Sequence, residues 1–300
     1  MSIKVTVVVL TYNHERFIAK ALESILNQEI DFKLQIIVAD DGSQDETNNI
    51  VADFTKRFPD SFSLIGEATN QGVRRNIFNC ISEIKGEYIA ILDGDDFWSD
   101  KEKLKKQVDF LDQNQDFNGV FHDAEIIHVD SAQEQLFNKK KYYSQSYVYK
   151  DEIHPTDLVS RSMILPSSSA LLRSSVLATV DKSLLVDNYS MLWKLTCFAI
   201  KRSKFHFINE PMSVYHNHSK GISKSDNDKF HLSHILFYEK LLQDDYYKYT
   251  RYDVYRALVN EYKILLDSKD SKLNKRKLFW KYVKCEFQKI RYYRKDLTRK

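Results

Sequence analysis

Apolar and polar positions alternate along the first 125 residues in a way that separates strands from helices. Residues 3–11 form a β-branched run, residues 34–39 and 62–66 repeat that texture, and residues 88–92 are apolar throughout. Between them, residues 16–28 place Phe17, Ala21, Leu22 and Ile25 on one helical stripe, and residues 46–58, 73–84 and 100–114 have the same period. Ser43 or Asp45 is the expected cap of the second helix and Ser99 that of the fourth. Strands alternating with helices predict an α/β fold around a mostly parallel sheet, whose ligands lie beyond the carboxyl ends of the strands.

The later chain is less regular. Strands are expected at residues 120–122, 164–172 and 205–208, a helix within 187–201, and a long loop at 130–160. From about residue 226 the pattern is helical: Tyr252, Tyr255, Leu258, Val259, Tyr262, Leu265 and Leu266 share one stripe. This divides the chain into an α/β unit at 1–225 and a helical region at 226–300.

Charge sharpens the division. The net charge is +3, yet residues 271–300 hold 12 Lys/Arg against Glu286 and Asp296, a local +10 that leaves −7 on the first 270 residues. Nucleic-acid binding by the body is therefore not expected. In a helix over 275–295, Phe279, Val283, Phe287 and Ile290 gather on one side and Lys277, Lys281, Lys284, Arg291 and Lys295 on the other. That helix either lies on an anionic membrane or packs on the body with a solvated basic face. Cys80, Cys197 and Cys285 have no metal-site spacing, and no run reaches the 18 or so apolar residues of a membrane span. A cytoplasmic protein, peripheral at the membrane, is expected.

The densest acidic cluster at a strand end is Asp93-Gly94-Asp95-Asp96. Carboxylates two residues apart can share one hard divalent cation and leave it room for substrate oxygens. With 27 Asp in 300 residues the triplet Asp-x-Asp occurs by chance roughly twice, and Asp226-Asn227-Asp228 is a second instance. The first stands out because it follows a buried strand. Asp40 and Asp41, ending the second strand, suit the imide of a pyrimidine or ribose hydroxyls, or else cap the following helix.

Four ordered motifs carry a resemblance: Val-Val-Val-Leu-Thr11-Tyr12-Asn13; Asp40-Asp41-Gly42-Ser43; Asn70-Gln71-Gly72; and Gly86-Glu-Tyr-Ile-Ala-Ile-Leu-Asp93-Gly-Asp95-Asp96-Phe-Trp. Together with Gln107-Val108-Asp109-Phe110-Leu111 and the closing segment Tyr215-His216-Asn217-His218, the chain resembles the family 2 glycosyltransferases of the GT-A fold, among them bacterial members that build surface glycans. The resemblance covers about residues 1–222.

It implies that Thr11, Tyr12, Asp40 and Asp41 hold the nucleoside, most often uridine. Asp93 and Asp95 would bind ribose and the metal-diphosphate, with Asp96 beside them. Arg75 would meet the diphosphate, and His218 the metal, Mn2+ or Mg2+. It implies inverting transfer from a nucleotide-sugar, a UDP-sugar, to a hydroxyl of a growing, lipid-linked surface glycan, with one carboxylate as base. That place reads Leu185-Val186-Asp187-Asn188-Tyr189 in place of the family's Glu-Asp or Gly-Asp pair, which gives the base role to Asp187, whose other role would be a helix cap. His216 stands where the family has Arg. The missing acidic pair motivates the alternative of a non-catalytic GT-A scaffold that binds nucleotide or glycan as an assembly partner.

Overall fold

In the computed structural model, residues 2–128, 141–142, 151–159, 166–179, 189–200, 203–218 and 227–297 are described. Asp187, and most of the 130–160 loop, lie outside them.

The alternating first half folds as its pattern dictates. Strand β1 (Ile3–Thr11) is followed by α1 (Ile18–Leu26), β2 (Lys33–Asp40), α2 (Thr47–Arg57), β3 (Phe62–Gly66), α3 (Val73–Ile81) and β4 (Tyr88–Asp93). β1 pairs in parallel with β2 on one side and β4 on the other, and β2 continues to β3. The chain thus builds outward from β1 in one direction and returns to its opposite edge. The crevice between β1 and β4 is the switch point at which such sheets bind ligands.

The helices are shorter than their periodicity. α1 begins at Ile18 because His14 O already accepts from the N–H groups of Phe17 and Ile18, both at 2.9 Å. Neither Ser43 nor Asp45 is the cap of α2, which is Glu46; Asp45 acts one residue upstream, where Oδ1 accepts from Thr47 N at 3.0 Å. Ser99 does not cap α4 (Lys103–Gln113) either. Asp100 Oδ1 accepts from Glu102 N at 2.7 Å instead.

Beyond the short β5 (Phe97–Trp98) the strands exceed their sequence signals. The expected strand at 120–122 is part of β6 (Phe117–His128), and that at 205–208 opens β10 (Lys204–Asn217). β10 runs parallel to β6 through register shifts between Ile208 and Pro211 and between Pro211 and Ser213, so the strand passes Pro211 as a bulge. Within the stretch expected as a strand at 164–172, Ser167–Ser169 form a 3-10 turn. The strand proper is β9 (Leu171–Arg173), antiparallel to both β4 and β6. The 151–159 segment carries β8 (Glu152–Ile153) and α5 (Pro155–Val159), and β7 (Lys141–Tyr142) adds to β6.

Strands buried on both faces give two cores. Val5, Val7, Val9, Ile36, Val38, Ala90 and Leu92 pack under α1, α2 and α4. Their neighbours Val8, Leu10, Ile37, Ala39, Ile89 and Ile91 face the opposite way, beneath α3, α5, α6 (Met191–Ala199), α7 (Asn227–Leu241) and α8 (Arg251–Asp267). The one-residue offset between the two sets is the pleat.

α9 (Lys275–Leu297) lies on α8 along one side only. Leu278 is buried, Tyr292 stacks on Tyr255 with ring centroids 5.6 Å apart, and Arg251 Nη1 donates to Tyr292 OH at 3.1 Å. The opposite side leaves Phe279, Trp280, Phe287 and Ile290 between 48% and 70% exposed. The helix thus packs on the body through a face other than the apolar one read from its sequence.

α7 and α8 are joined by a buried polar cluster. His231 Nδ1 and His234 Nδ1 face the two oxygens of Glu261 at 2.5 and 3.2 Å, and Ser190 Oγ is 2.8 Å from His234 Nε2. Removing a carboxylate from such a set strands its partners in the interior. Glu261→Gln is expected to lower the unfolding free energy by about 2–3 kcal/mol in urea titrations; an unchanged midpoint would show that the cluster does not support this packing.

Candidate active site

Thr11, Asp40 and Asp93 close three adjacent strands. Thr11 sits opposite Asp40 in the β1–β2 ladder and Leu10 opposite Asp93 in the β1–β4 ladder. The backbones stay together past the strands, since Asp41 N donates to Thr11 O at 3.0 Å and Gly94 N to Leu10 O at 2.7 Å. Gly94 is needed here: a Cβ would lie 2.9 Å from both His14 Nδ1 and Thr11 Oγ1.

The side of the crevice that holds Asp40 and Asp41 is built from loops tied to one another. Asp40 accepts from Ser43 N at 2.8 Å, from Asn48 Nδ2 at 3.0 Å and from Ser43 Oγ. Asp41 accepts from Gln71 N at 2.7 Å and Gly72 N at 2.9 Å, while burial pushes its carboxyl above the ordinary range. Both carboxylates therefore brace the crevice wall, and any ligand must use the lone pairs left over. Tyr12 is 39% exposed at the rim. Arg75 is turned outward, 59% exposed, with Nε 3.3 Å from Glu67 Oε1.

The acidic turn after β4 is crowded. Ser167 Oγ donates to Asp93, His218 Nε2 lies 2.9 Å from Asp95 Oδ2, and Asp96 Oδ1 accepts from His216 N at 3.0 Å. His216 Nδ1 also bonds Asp95 O. Alternation along β10 and the residues after it places His216 and His218 on the same side, over Asp95. Phe17 stacks on His218, with centroids 5.9 Å apart and planes 15° from parallel.

The three carboxyls have different protonation tendencies. Burial, reinforced by Asp95, pushes Asp93 up to about 6 against the Ser167 bond. Burial and both neighbours hold Asp96 well above the carboxylate range. Burial also opposes ionisation of Asp95, but the His218 bond and the nearby His14 prevail and keep it below its ordinary value. A divalent cation beside this turn would relieve the repulsion between Asp93 and Asp95. Asp95 and His218 are the pair brought into contact, while the ligand atoms of Asp93, Asp95 and His218 do not all lie within 4.8 Å of one another.

A second layer supports this turn. Trp98 Nε1 donates to Ser168 O at 2.9 Å, and Gln107 Nε2 to Ser169 O at 2.8 Å and Val120 O at 3.1 Å. Lys103 Nζ is wholly buried, bonded to Gln107 Oε1 at 2.8 Å and 4.1 Å from the Trp98 ring centre, and burial holds it far below the usual lysine range. These contacts fix the 3-10 turn that aims Ser167 at Asp93. Ser167 and His14 are site residues that the sequence pattern did not single out; a lone serine or histidine far from its partners gives no local signal.

With divalent cations removed, ionising Asp93 disfavours the folded state. That penalty is absent below the ordinary pKa of 3.8, grows as pH rises, and is complete above about 6. Asp93→Asn is expected to be more stable than wild type at pH 7.5 by on the order of 2 kcal/mol more than at pH 4 in urea titrations. A gap that does not change with pH would overturn this account.

Comparison with known proteins agrees with the geometry. The model of the family described as Glycosyl transferase family 2 matches residues 6–176. An uncharacterized protein of Mycobacterium tuberculosis is 29% identical over 228 residues, 75% of this chain and 63% of its own length. The dTDP-rhamnosyl transferase RfbG of Shigella flexneri is 26% identical over 216 residues, 69% of this chain and 71% of that protein, and the putative glycosyltransferase EpsE of Bacillus subtilis is 37% identical over 117 residues, 39% and 41% of the two chains. Among solved structures, S. aureus TarS 1–349 superposes with a TM-score of 0.69 at 17% identity, covering 96% of this chain and 81% of that one, which shows the shared GT-A fold. The matched stretch runs from β1 past β9 and contains Thr11, Asp40, Asp41, Asp93 and Asp95, so the chain belongs to glycosyl transferase family 2.

Proposed function

We propose that this chain is an inverting, metal-dependent glycosyltransferase that moves a sugar from a UDP-sugar to a hydroxyl of a growing surface glycan. The observation that carries the reading is the contact of His218 with Asp95 in the acidic turn that ends β4, beside Thr11 at the switch point. TarS structures in complex with UDP and with UDP-GlcNAc, and a Pyrobaculum calidifontis mannosyltransferase in complex with GDP-Man and Mn2+, support a nucleotide-sugar donor and a cation. The mannosyltransferase superposes with a TM-score of 0.57 at 18% identity over 99% of this chain and 88% of that one.

In this reading Thr11, Tyr12, Asp40 and Asp41 line the nucleoside pocket, Arg75 swings from Glu67 to the diphosphate, and Asp93, Asp95 and His218 hold Mn2+ or Mg2+. A cation held by these residues would supply positive charge against the negative charge that develops on the departing nucleoside diphosphate. Asp187 takes the proton of the acceptor hydroxyl as its oxygen bonds the anomeric carbon from the face opposite the leaving oxygen, which inverts the configuration. Residues 1–225 would form the catalytic unit.

α9 supports a place at the membrane. None of the described helices is long and apolar enough to cross a bilayer, but α9 is 23 residues long, exposes Phe279, Trp280, Phe287 and Ile290, and lies within the strongly basic end of the chain. An aromatic face flanked by lysines suits the headgroup layer of an anionic leaflet, where a lipid-linked acceptor would be found.

Two experiments test this reading. UDP-sugar hydrolysis and transfer with Mn2+ should fall at least a hundredfold in Asp95→Ala and in Asp187→Asn. Unchanged rates in Asp95→Ala would remove the metal assignment and in Asp187→Asn the base, whereas UDP binding with no turnover in wild type would favour the scaffold alternative. Sedimentation with phosphatidylglycerol vesicles should drop at least tenfold when Phe279, Trp280 and Phe287 are all changed to Ser; equal sedimentation would overturn the membrane assignment.

A further inference from the structure

Among the described residues, the set of side chains that converges as a metal site does lies away from the crevice. His231 and His234 of α7 and Glu261 of α8 each bring one ligand atom to within 4.8 Å of the others, and all three residues are buried. We propose that His231 Nδ1, His234 Nδ1 and a Glu261 carboxylate oxygen bind one Zn2+ ion, which clips α7 to α8 and, through Ser190, to the start of α6. This site is independent of the transferase reading.

The helix sets up the two imidazoles. His231 and His234 are three residues apart in α7, so their rings leave it on one face, one turn apart. Both present the same nitrogen to Glu261: His231 Nδ1 is 2.5 Å from Oε2 and His234 Nδ1 is 3.2 Å from Oε1. Ligands bonded at about 2.1 Å to a tetrahedral zinc stand about 3.4 Å from one another. The separations found, from 2.5 Å to at most 4.8 Å, bracket that spacing. Two imidazoles and one carboxylate are an ordinary zinc donor set, to which a water adds the fourth ligand.

The surroundings hold the rings in place. Phe230 and Trp193 meet the His234 ring edge to face, with centroids 4.4 and 5.3 Å away. Ser190 Oγ lies 2.8 Å from His234 Nε2. When Nδ1 gives its lone pair to a metal, the ring proton sits on Nε2 and donates to this hydroxyl, the outer hydrogen bond that orients a zinc-bound imidazole. A hydroxyl both donates and accepts, so Ser190 serves His234 with the ion and without it. Ser190 keeps that position in a left-handed backbone, with φ 50° and ψ 39°, which is unfavourable for serine. It precedes α6 and follows Asp187 by three residues in the chain, so the clip ties the helical region to the α/β part close in sequence to the proposed base.

The test uses Zn2+ and the full-length chain carrying Asp95→Ala, so that zinc at the acidic turn does not enter the count. After chelator treatment, addition of Zn2+ and gel filtration, this chain should retain about one zinc, with X-ray absorption showing two imidazole ligands. The ion should raise Tm by about 4 °C or more. Adding His231→Gln or His234→Gln should lower zinc affinity at least tenfold. No retained zinc with an unchanged Tm, retained zinc with fewer than two imidazoles, or unchanged affinity in both histidine variants overturns the proposal. The imidazole count on the unaltered cluster decides the matter even where a histidine variant does not fold.

Discussion

Asp93, Asp95 and Asp96 crowd three carboxyl groups into four residues at the edge of a buried sheet, and the structure around them is organised by their mutual repulsion. Ser167, the His216 backbone N–H and the His218 ring each bond a different one of the three. These partners come from distant parts of the chain, from the 3-10 turn ahead of β9 and from β10 and its continuation, so the sheet must be complete before the cluster is supported. Local charge here demands long-range structure.

That demand explains the polar interior. Gln107, Lys103 and Trp98 would weaken a core built only for apolar contact, yet each is bonded or stacked, and two of them hold the backbone of the serine turn. The bulge at Pro211 has a similar logic. It lets β10 follow β6 along the sheet and still bring its last residues over the acidic turn. The loops after β1, β2 and β3 are tied by side chain to backbone bonds through Ser43, Asp41 and Thr47, so the crevice wall is set before a ligand arrives.

The parallel half of the sheet was legible because its signals are local: apolar runs of strand length, helical stripes between them, and acids immediately after a strand. Helix starts were misplaced by up to three residues because Asp45 and Asp100 act from just outside the helices they serve, where a pattern of caps does not look. β10 was cut short because Asn209-Glu210-Pro211 carries the composition of a turn while the ladder runs through it. Ser167 and His14 were silent for another reason. Their meaning lies in Asp93 and Asp95, and no spacing within the sequence announces those meetings.

The two cores also close at different moments of synthesis. The helices that cover one face of the sheet, α1, α2 and α4, are all in the chain by Gln113, whereas the other face needs α8, which ends at Asp267. At about 5–20 residues per second the ribosome takes roughly ten to thirty seconds to supply that interval. α3, complete by Ile81, already lies over β1 and β2 on that face, so what arrives late with the helical end is the outer part of that core, where α7 and α8 pack.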